Sequence, residues 1–202
     1  FAGKFQQLTA PAMAKALEDT CFYRHVELLS LNEVGSEPTR FGLTPAAFHR
    51  LSQVRHQRWP HTMLGTSTHD SKRSEDVRAR INVLTEMPEV WRAKLTKWRR
   101  MNHTRHKLVD DVVVPSRNEE YLYYQTLVGS WPRPFRPAEL PAYAERIEAY
   151  MVKALREAKV TIVPDEENPG YYRAQFFLRP HYQLEGMDIG MSLASRIPQG
   201  DN

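Results

Sequence analysis

Apolar residues recur at helical spacing through most of the chain and alternate, strand-like, only near its C-terminus. Met13, Leu17 and Cys21 stand four apart, so a helix is predicted from a Thr9 cap, with Pro11 tolerated in its first turn. The pattern continues over residues 22–31, and Asn32-Glu33-Val34-Gly35 with Pro38 stops it. Thr44-Pro45 opens a short helix to about residue 56. Met63 and Leu64 read as the apolar end of a buried strand, where Gly65 and a Ser/Thr cluster turn the chain. Val77, Ile81 and Leu84 share one face of a helix from Ser74, and Trp91, Leu95 and Trp98 form the stripe of another that Pro88 starts. Residues 112–115 are extended; Ser116-x-x-Glu119 is a capping box opening a helix that Gly129 ends, its packing face formed by Tyr121, Leu122, Tyr124, Gln125 and Leu127. Residues 131–141 contain four prolines and read as a surface connector. From residue 142 to about 160 a helix buries Ile147, Met151, Leu155 and Ala158. Asn168-Pro169-Gly170 is a turn, and residues 171–178 and 187–197 read as two strands of a hairpin.

The fold class is therefore mainly α with minor β. With 202 residues and 41% hydrophobic content the chain can bury a sizeable core. No apolar run approaches the roughly 20 residues that span a bilayer, and the N-terminus carries no signal segment, so a cytoplasmic protein without a membrane partner is expected. Cys21 is the only cysteine, which excludes an internal disulfide and a multi-cysteine metal site; its apolar helix face suggests a buried structural thiol. The net charge of +4 is unevenly spread: residues 161–202 hold three Arg, no Lys and six acidic residues, leaving +7 on the first 160. That asymmetry suggests two sources of sequence. A first residue of Phe1 suggests an excised segment.

The densest chemistry lies in Thr66-Ser67-Thr68-His69-Asp70-Ser71-Lys72-Arg73-Ser74-Glu75. An imidazole and a carboxylate stand side by side at His69 and Asp70, with two cations just beyond. At the C-terminal end of a barrel strand such a pair reads as catalytic or substrate-binding. Equally open is a plain helix cap by Asp70 or Ser71. Lys15 and Glu18, three apart, read from pattern alone as an exposed ion pair, and Asn32 and Glu33 as a C-cap turn. Trp59 reads as a core or interface aromatic, with sugar stacking as the alternative. The basic run from Arg92 to Lys107 reads as a solvated helix face rather than a nucleic-acid surface, since no nucleic-acid module accompanies it. His103 and His106 lack a ligand-spaced partner set, so no metal and no cofactor is expected.

Several motifs resemble one family in its own order: Phe5-Gln6-Gln7-Leu8-Thr9, Met13-Ala14-Lys15, Glu18-Asp19-Thr20, Phe22-Tyr23-Arg24, residues 29–35, residues 67–81 and Val114-Pro115-Ser116-Arg117-Asn118-Glu119-Glu120-Tyr121. The family is maltooligosyltrehalose synthase, of the α-amylase superfamily, and the resemblance runs from about residue 5 to about 159. It implies the C-terminal portion of a (β/α)8 barrel catalytic region with a helical subdomain. It also implies an intramolecular transglucosylation that turns the reducing-end α-1,4 bond of a maltooligosaccharide into an α-1,1 bond. Such chemistry uses a carboxylate nucleophile and a carboxylic acid/base. By the resemblance both lie upstream of Phe1, so the chain alone is expected to be inactive. Asp70 matches the third acidic residue of the site. His69, Lys72, Arg73, Lys15, Glu18, Asp19, Asn32 and Glu33 match positions around the sugar.

After Lys159 this resemblance stops. Residues 168–188, including Phe177-Leu178-Arg179-Pro180-His181-Tyr182-Gln183-Leu184-Glu185-Gly186, resemble the C-terminus of the large sheath subunit of type VI secretion. The division implied is residues 1–160 and a strand-rich tail over 161–202, as in a fusion. The tail brings an alternative function, a structural component of a contractile sheath, with possible sheath-type subunit contacts.

Overall fold

The computed structural model describes residues 1–109, 112–159, 172–173 and 194–195. Helix α1 (Ala2–Met13) starts before the expected Thr9 cap and holds Pro11 in its interior. The Thr9 hydroxyl instead donates to the Gln6 carbonyl at 3.3 Å. The helix runs on as a π-helical stretch (Ala14–Cys21) and one last turn (Phe22–Arg24). Its predicted continuation to residue 31 does not form: His25 is extended, and only Leu29–Leu31 coils again, as a 3-10 turn. Asn32 explains the break, because its side-chain amide donates to the Phe22 carbonyl at 2.8 Å and to that of His25. A side chain thus takes over carbonyls at the helix end. Cys21 is half-buried rather than buried.

Helix α2 (Pro45–Arg58) begins as expected, with the Thr44 hydroxyl accepting the Ala47 N–H at 3.2 Å, but none of its residues is buried. Met63 and Leu64 form no strand and are 96% and 73% exposed. An apolar pair becomes a buried strand only where neighbours supply its ladder hydrogen bonds, and none of the described strands pairs with it. Trp59 is also exposed, which excludes the core among the places expected for it.

Helix α3 (Glu75–Asn82) follows Ser74, so Asp70 and Ser71 lie outside its cap; the Ser67 hydroxyl accepts the Glu75 N–H at 3.1 Å. Helix α4 (Pro88–Asn102) carries the predicted stripe: Trp91 is buried, and Leu95 and Trp98 pack against the core. A hairpin of β1 (Lys107–Val109) and β2 (Val112–Val114) pairs Lys107 with Val114. It leads to α5 (Arg117–Ser130), where both halves of the Ser116–Glu119 capping box form. Gly129 lies inside α5, one residue before its end. Helix α6 (Leu140–Glu157) buries Ile147, Met151 and Leu155, as its stripe predicts. A lysine at φ 56°, Lys159, follows its last turn.

Helix α5 is the centre of the core. Leu122, Tyr123, Tyr124 and Leu127 pack with Ile81, Trp91, Ile147, Met151, Tyr23 and Leu29 from the surrounding segments. Gln125 is fully buried among them; its carbonyl accepts the Leu29 N–H at 2.9 Å and its amide donates to the Val26 carbonyl at 2.7 Å. The Leu29 N–H and the Val26 carbonyl lie in an irregular stretch of backbone, and a buried side chain satisfies them. Gly129 brings α5 against α3: a Cβ there would stand 2.8 Å from a Val77 methyl and 3.1 Å from Ile81.

In the tail, β3 (Tyr172–Arg173) pairs antiparallel with β4 (Ala194–Ser195). The rest of the two strands predicted over 171–178 and 187–197, and the turn at 168–170, lies outside the described residues.

Candidate functional site

The turn over residues 66–73 is closed by its own small polar side chains. The Thr68 N–H donates to the Ser71 hydroxyl at 2.8 Å, the Ser71 N–H to the Thr68 carbonyl at 3.2 Å, and the Asp70 N–H to the Thr68 hydroxyl at 3.3 Å. This is the chemistry by which Ser and Thr mimic a backbone turn. It leaves His69 and Asp70 exposed at the tip.

Beside the tip lies the π-helical stretch, which carries Lys15, Glu18 and Asp19. The Thr20 hydroxyl donates to the Lys15 carbonyl, five residues back, a spacing that suits the wider turn. Single π turns within helices are frequent at functional sites. Two ammonium groups converge on the Asp19 carboxylate: Lys15 Nζ at 2.6 Å on one oxygen and Lys72 Nζ at 2.9 Å on the other. Lys72 is largely buried, with its ammonium 5.9 Å from the Tyr23 ring centre. Burial pushes the Tyr23 phenol up to about 12, so it stays neutral. Hydrogen bonds from Lys15 and Lys72 hold the Asp19 carboxyl down at about 2. The hydrogen bond to Asp19 raises Lys15 above its ordinary value, and the nearby Asp70 charge adds to this.

The remaining predicted residues work on the backbone. Glu33 accepts the backbone N–H of Lys72 at 2.8 Å and of Arg73 at 3.3 Å. Glu18 accepts the Gly35 N–H at 3.1 Å, tying the π-helical stretch to the 33–35 loop. Arg73 is buried; its guanidinium donates to the Leu29 carbonyl and to the Tyr150 hydroxyl and lies over the Tyr150 ring. Asn32 is buried and spent on the Phe22 and His25 carbonyls. The structure thus gathers Lys15 and Lys72 on Asp19, with the exposed Asp70 close enough for its charge to act on Lys15, and sets Glu33, Arg73 and Asn32 behind this face.

Sequence reasoning missed Arg78 and Tyr150. Arg78 donates to Glu33 at 3.3 Å and to the Thr66 carbonyl, pinning the first residue of the turn. Its place one helical turn after Ser74 was the available signal. Among the described residues no group of three or more His, Cys, Asp or Glu could hold a metal ion. No helix there is long and apolar enough to cross a membrane. The face presents fixed charges, and hydrogen bonds made by charged groups are the strong kind.

A Mycobacterium tuberculosis (strain CDC 1551 / Oshkosh) protein described as a maltooligosyl trehalose synthase is 41% identical over 157 residues, covering 78% of this chain and 19% of that protein. A crystal structure of maltooligosyl trehalose synthase superposes with a TM-score of 0.67 at 41% identity, over 82% of this chain and 21% of that one. The chain resembles a stretch of maltooligosyl trehalose synthase. It spans about a fifth of the length of the curated synthases it matches. Residues 125–197 match a second family, EvpB/VC_A0108, tail sheath gpW/gp25-like domain. The type VI secretion system sheath protein TssC1 of Pseudomonas aeruginosa is 52% identical over 44 residues, 22% of this chain and 9% of that protein. The sheath family match begins within α5.

Proposed function

We propose that residues 5–159 are a C-terminal portion of a (β/α)8 barrel catalytic region that isomerises maltooligosaccharides to maltooligosyltrehalose, joined at about residue 160 to a sheath-like tail. The observation that carries this is the convergence of Lys15 and Lys72 on Asp19 beside the Asp70 turn, and 41% identity to a synthase-like protein over 157 residues supports it. A retaining mechanism needs a nucleophilic carboxylate that displaces the reducing-end glucose and an acid/base that protonates the departing oxygen. In this reading both come from barrel strands outside this chain. Asp70 accepts hydrogen bonds from hydroxyls of the distorted ring and favours its positive, oxocarbenium-like transition state, and His69 bonds a neighbouring hydroxyl. The freed glucose then turns and its anomeric hydroxyl attacks the glycosyl-enzyme, passing its proton to the acid/base. Lys15, Asp19 and Lys72 hold that glucose in place while water is kept out. Glu18, Arg73, Asn32 and Glu33 support that face through the backbone groups and the Tyr150 hydroxyl they bind.

The test is titration of the isotope-labelled 202-residue chain with maltopentaose, read by amide chemical shifts. Shifts confined to Lys15, Asp70, Lys72 and their neighbours are expected, with no trehalose-ended product. Unmoved amides there at tens of millimolar sugar, or turnover by the chain alone, would overturn the reading.

The sheath family match over residues 125–197 favours a second reading, a structural component of a contractile sheath. Salt-resistant co-assembly with a sheath small subunit would support it, and its absence would leave the tail without that role.

A further inference from the structure

Glu33 stands out among the nine residues matched to the sugar site because its carboxylate has nothing left to offer a sugar. One oxygen accepts the N–H groups of Lys72 and Val34, both at 2.8 Å. The other accepts the Arg73 N–H and the Arg78 guanidinium, both at 3.3 Å. An ionised carboxylate offers about four acceptor sites, and all are taken. The side chain is only 15% exposed. Two of its four donors belong to consecutive residues that close the Asp70 turn, and a third, Arg78, also holds the Thr66 carbonyl at the start of that turn. One carboxylate therefore grips the end of the turn directly and its beginning through Arg78.

We propose that Glu33 is a positioning residue: it fixes the 66–73 turn, and with it the places of Asp70, His69 and Lys72, without touching sugar. This rests on the synthase reading for its catalytic consequence and on geometry alone for its structural one. Glutamine cannot replace it. One of its two polar ends is an NH2 group that would face backbone N–H donors, leaving at least one of them unpaired. Aspartate keeps the charge but draws the carboxylate back by about 1.5 Å, out of reach of both N–H groups at once.

Two readouts test the inference. In the 202-residue chain, Glu33→Gln should speed amide exchange at Lys72 and Arg73 by about tenfold or more, the equivalent of one net hydrogen bond. Glu33→Asp, the milder change for the fold, should show the same exchange signature. The second readout grafts residues 5–159 in place of the matching stretch of the Mycobacterium tuberculosis synthase-like protein. There Glu33→Gln should lower kcat by about 10- to 100-fold and leave KM for maltopentaose within about twofold, the sign of an interaction that matters in the transition state. A raised KM with kcat and exchange unchanged would make Glu33 a sugar contact and overturn the proposal. So would wild-type exchange in Glu33→Asp, since charge alone would then suffice, and so would faster exchange with kcat intact. An inactive unsubstituted graft would overturn the synthase reading itself, and is told apart because a failed inference leaves that graft active.

Discussion

Gly129→Ala is the most informative single perturbation of the packing that supports the candidate site. The new methyl would lie 2.8 Å from Val77 Cγ1 and 3.1 Å from two Ile81 carbons, inside ordinary contact distance. Neither neighbour gives way easily: both are β-branched and held near one rotamer in a helix, and Ile81 is fully buried. Overpacking of this kind costs about 1–3 kcal/mol. Replacing an interior helical glycine by alanine returns about 1 kcal/mol of helix propensity. Because both neighbours are stiff, the upper half of the overpacking range applies, about 2–3 kcal/mol, and the balance is a net loss of about 1–2 kcal/mol, near 0.5–1 M in urea midpoint at a slope of about 2 kcal/mol per molar. Unfolding is followed by tryptophan fluorescence, because Trp91 and Trp131 lie in or against the α5 core. Val77→Ala opens the contact, so the double variant should be less destabilised than the two singles added, by at least about 0.5 kcal/mol. A Gly129→Ala chain as stable as the parent, or strictly additive effects, would refute close α3–α5 packing as the reason for glycine.

Three further outcomes follow from the same structure. Gln125→Leu removes the partners of a buried N–H and a buried carbonyl, and should cost about 2–4 kcal/mol in urea unfolding, since an orphaned buried group costs about 1–3 kcal/mol. Asp19 has a folded pKa depressed from 3.8 to about 2, so its stabilisation is present above about pH 4 and lost as the pH falls towards 2. Asp19→Asn should therefore be less stable than the parent at pH 7 and match it near pH 2; a gap independent of pH would sink the Lys15–Asp19–Lys72 account. Lys159 adopts φ 56° just past α6, a conformation glycine takes at no steric cost, so Lys159→Gly should raise stability by up to about 1 kcal/mol. A lower thermal midpoint would contradict that.

What could be read from the sequence was what is decided locally. The Ser116–Glu119 capping box, the Thr44-Pro45 start, the Trp91–Leu95–Trp98 stripe and the Ile147–Met151–Leu155 stripe each need only neighbours one or two helical turns away. The break at His25 is different in kind. It is made by Asn32 and Gln125, and the Gln125 bond to Leu29 spans 96 positions. Helix α5 hid its central place for a related reason: buried on nearly every side, it lacks the polar face that marks a surface helix. Met63 and Leu64 carry a strand-like pattern, but a strand needs partners on its edges. At the site, the Ser/Thr cluster made the turn legible, whereas its anchors did not show. Glu33 reaches Lys72 across 39 positions and Arg73 reaches Tyr150 across 77. The family resemblance gathered Glu33 and Arg73 with the sugar residues, and the geometry sets them behind the face as its support.

In the proposed function the Asp70 turn belongs to a transglucosylase site. Its most direct test is turnover of maltopentaose by the residue 5–159 graft, with and without Asp70→Asn. The account predicts a trehalose-ended, non-reducing product from the unsubstituted graft. It predicts a loss of about three orders of magnitude in kcat for Asp70→Asn, within the scale of transition-state electrostatics, at an unchanged thermal midpoint. The midpoint should hold because Asp70 is exposed and its carboxylate makes no hydrogen bond among the described residues. Near-normal turnover by the folded Asp70→Asn graft would contradict the claim.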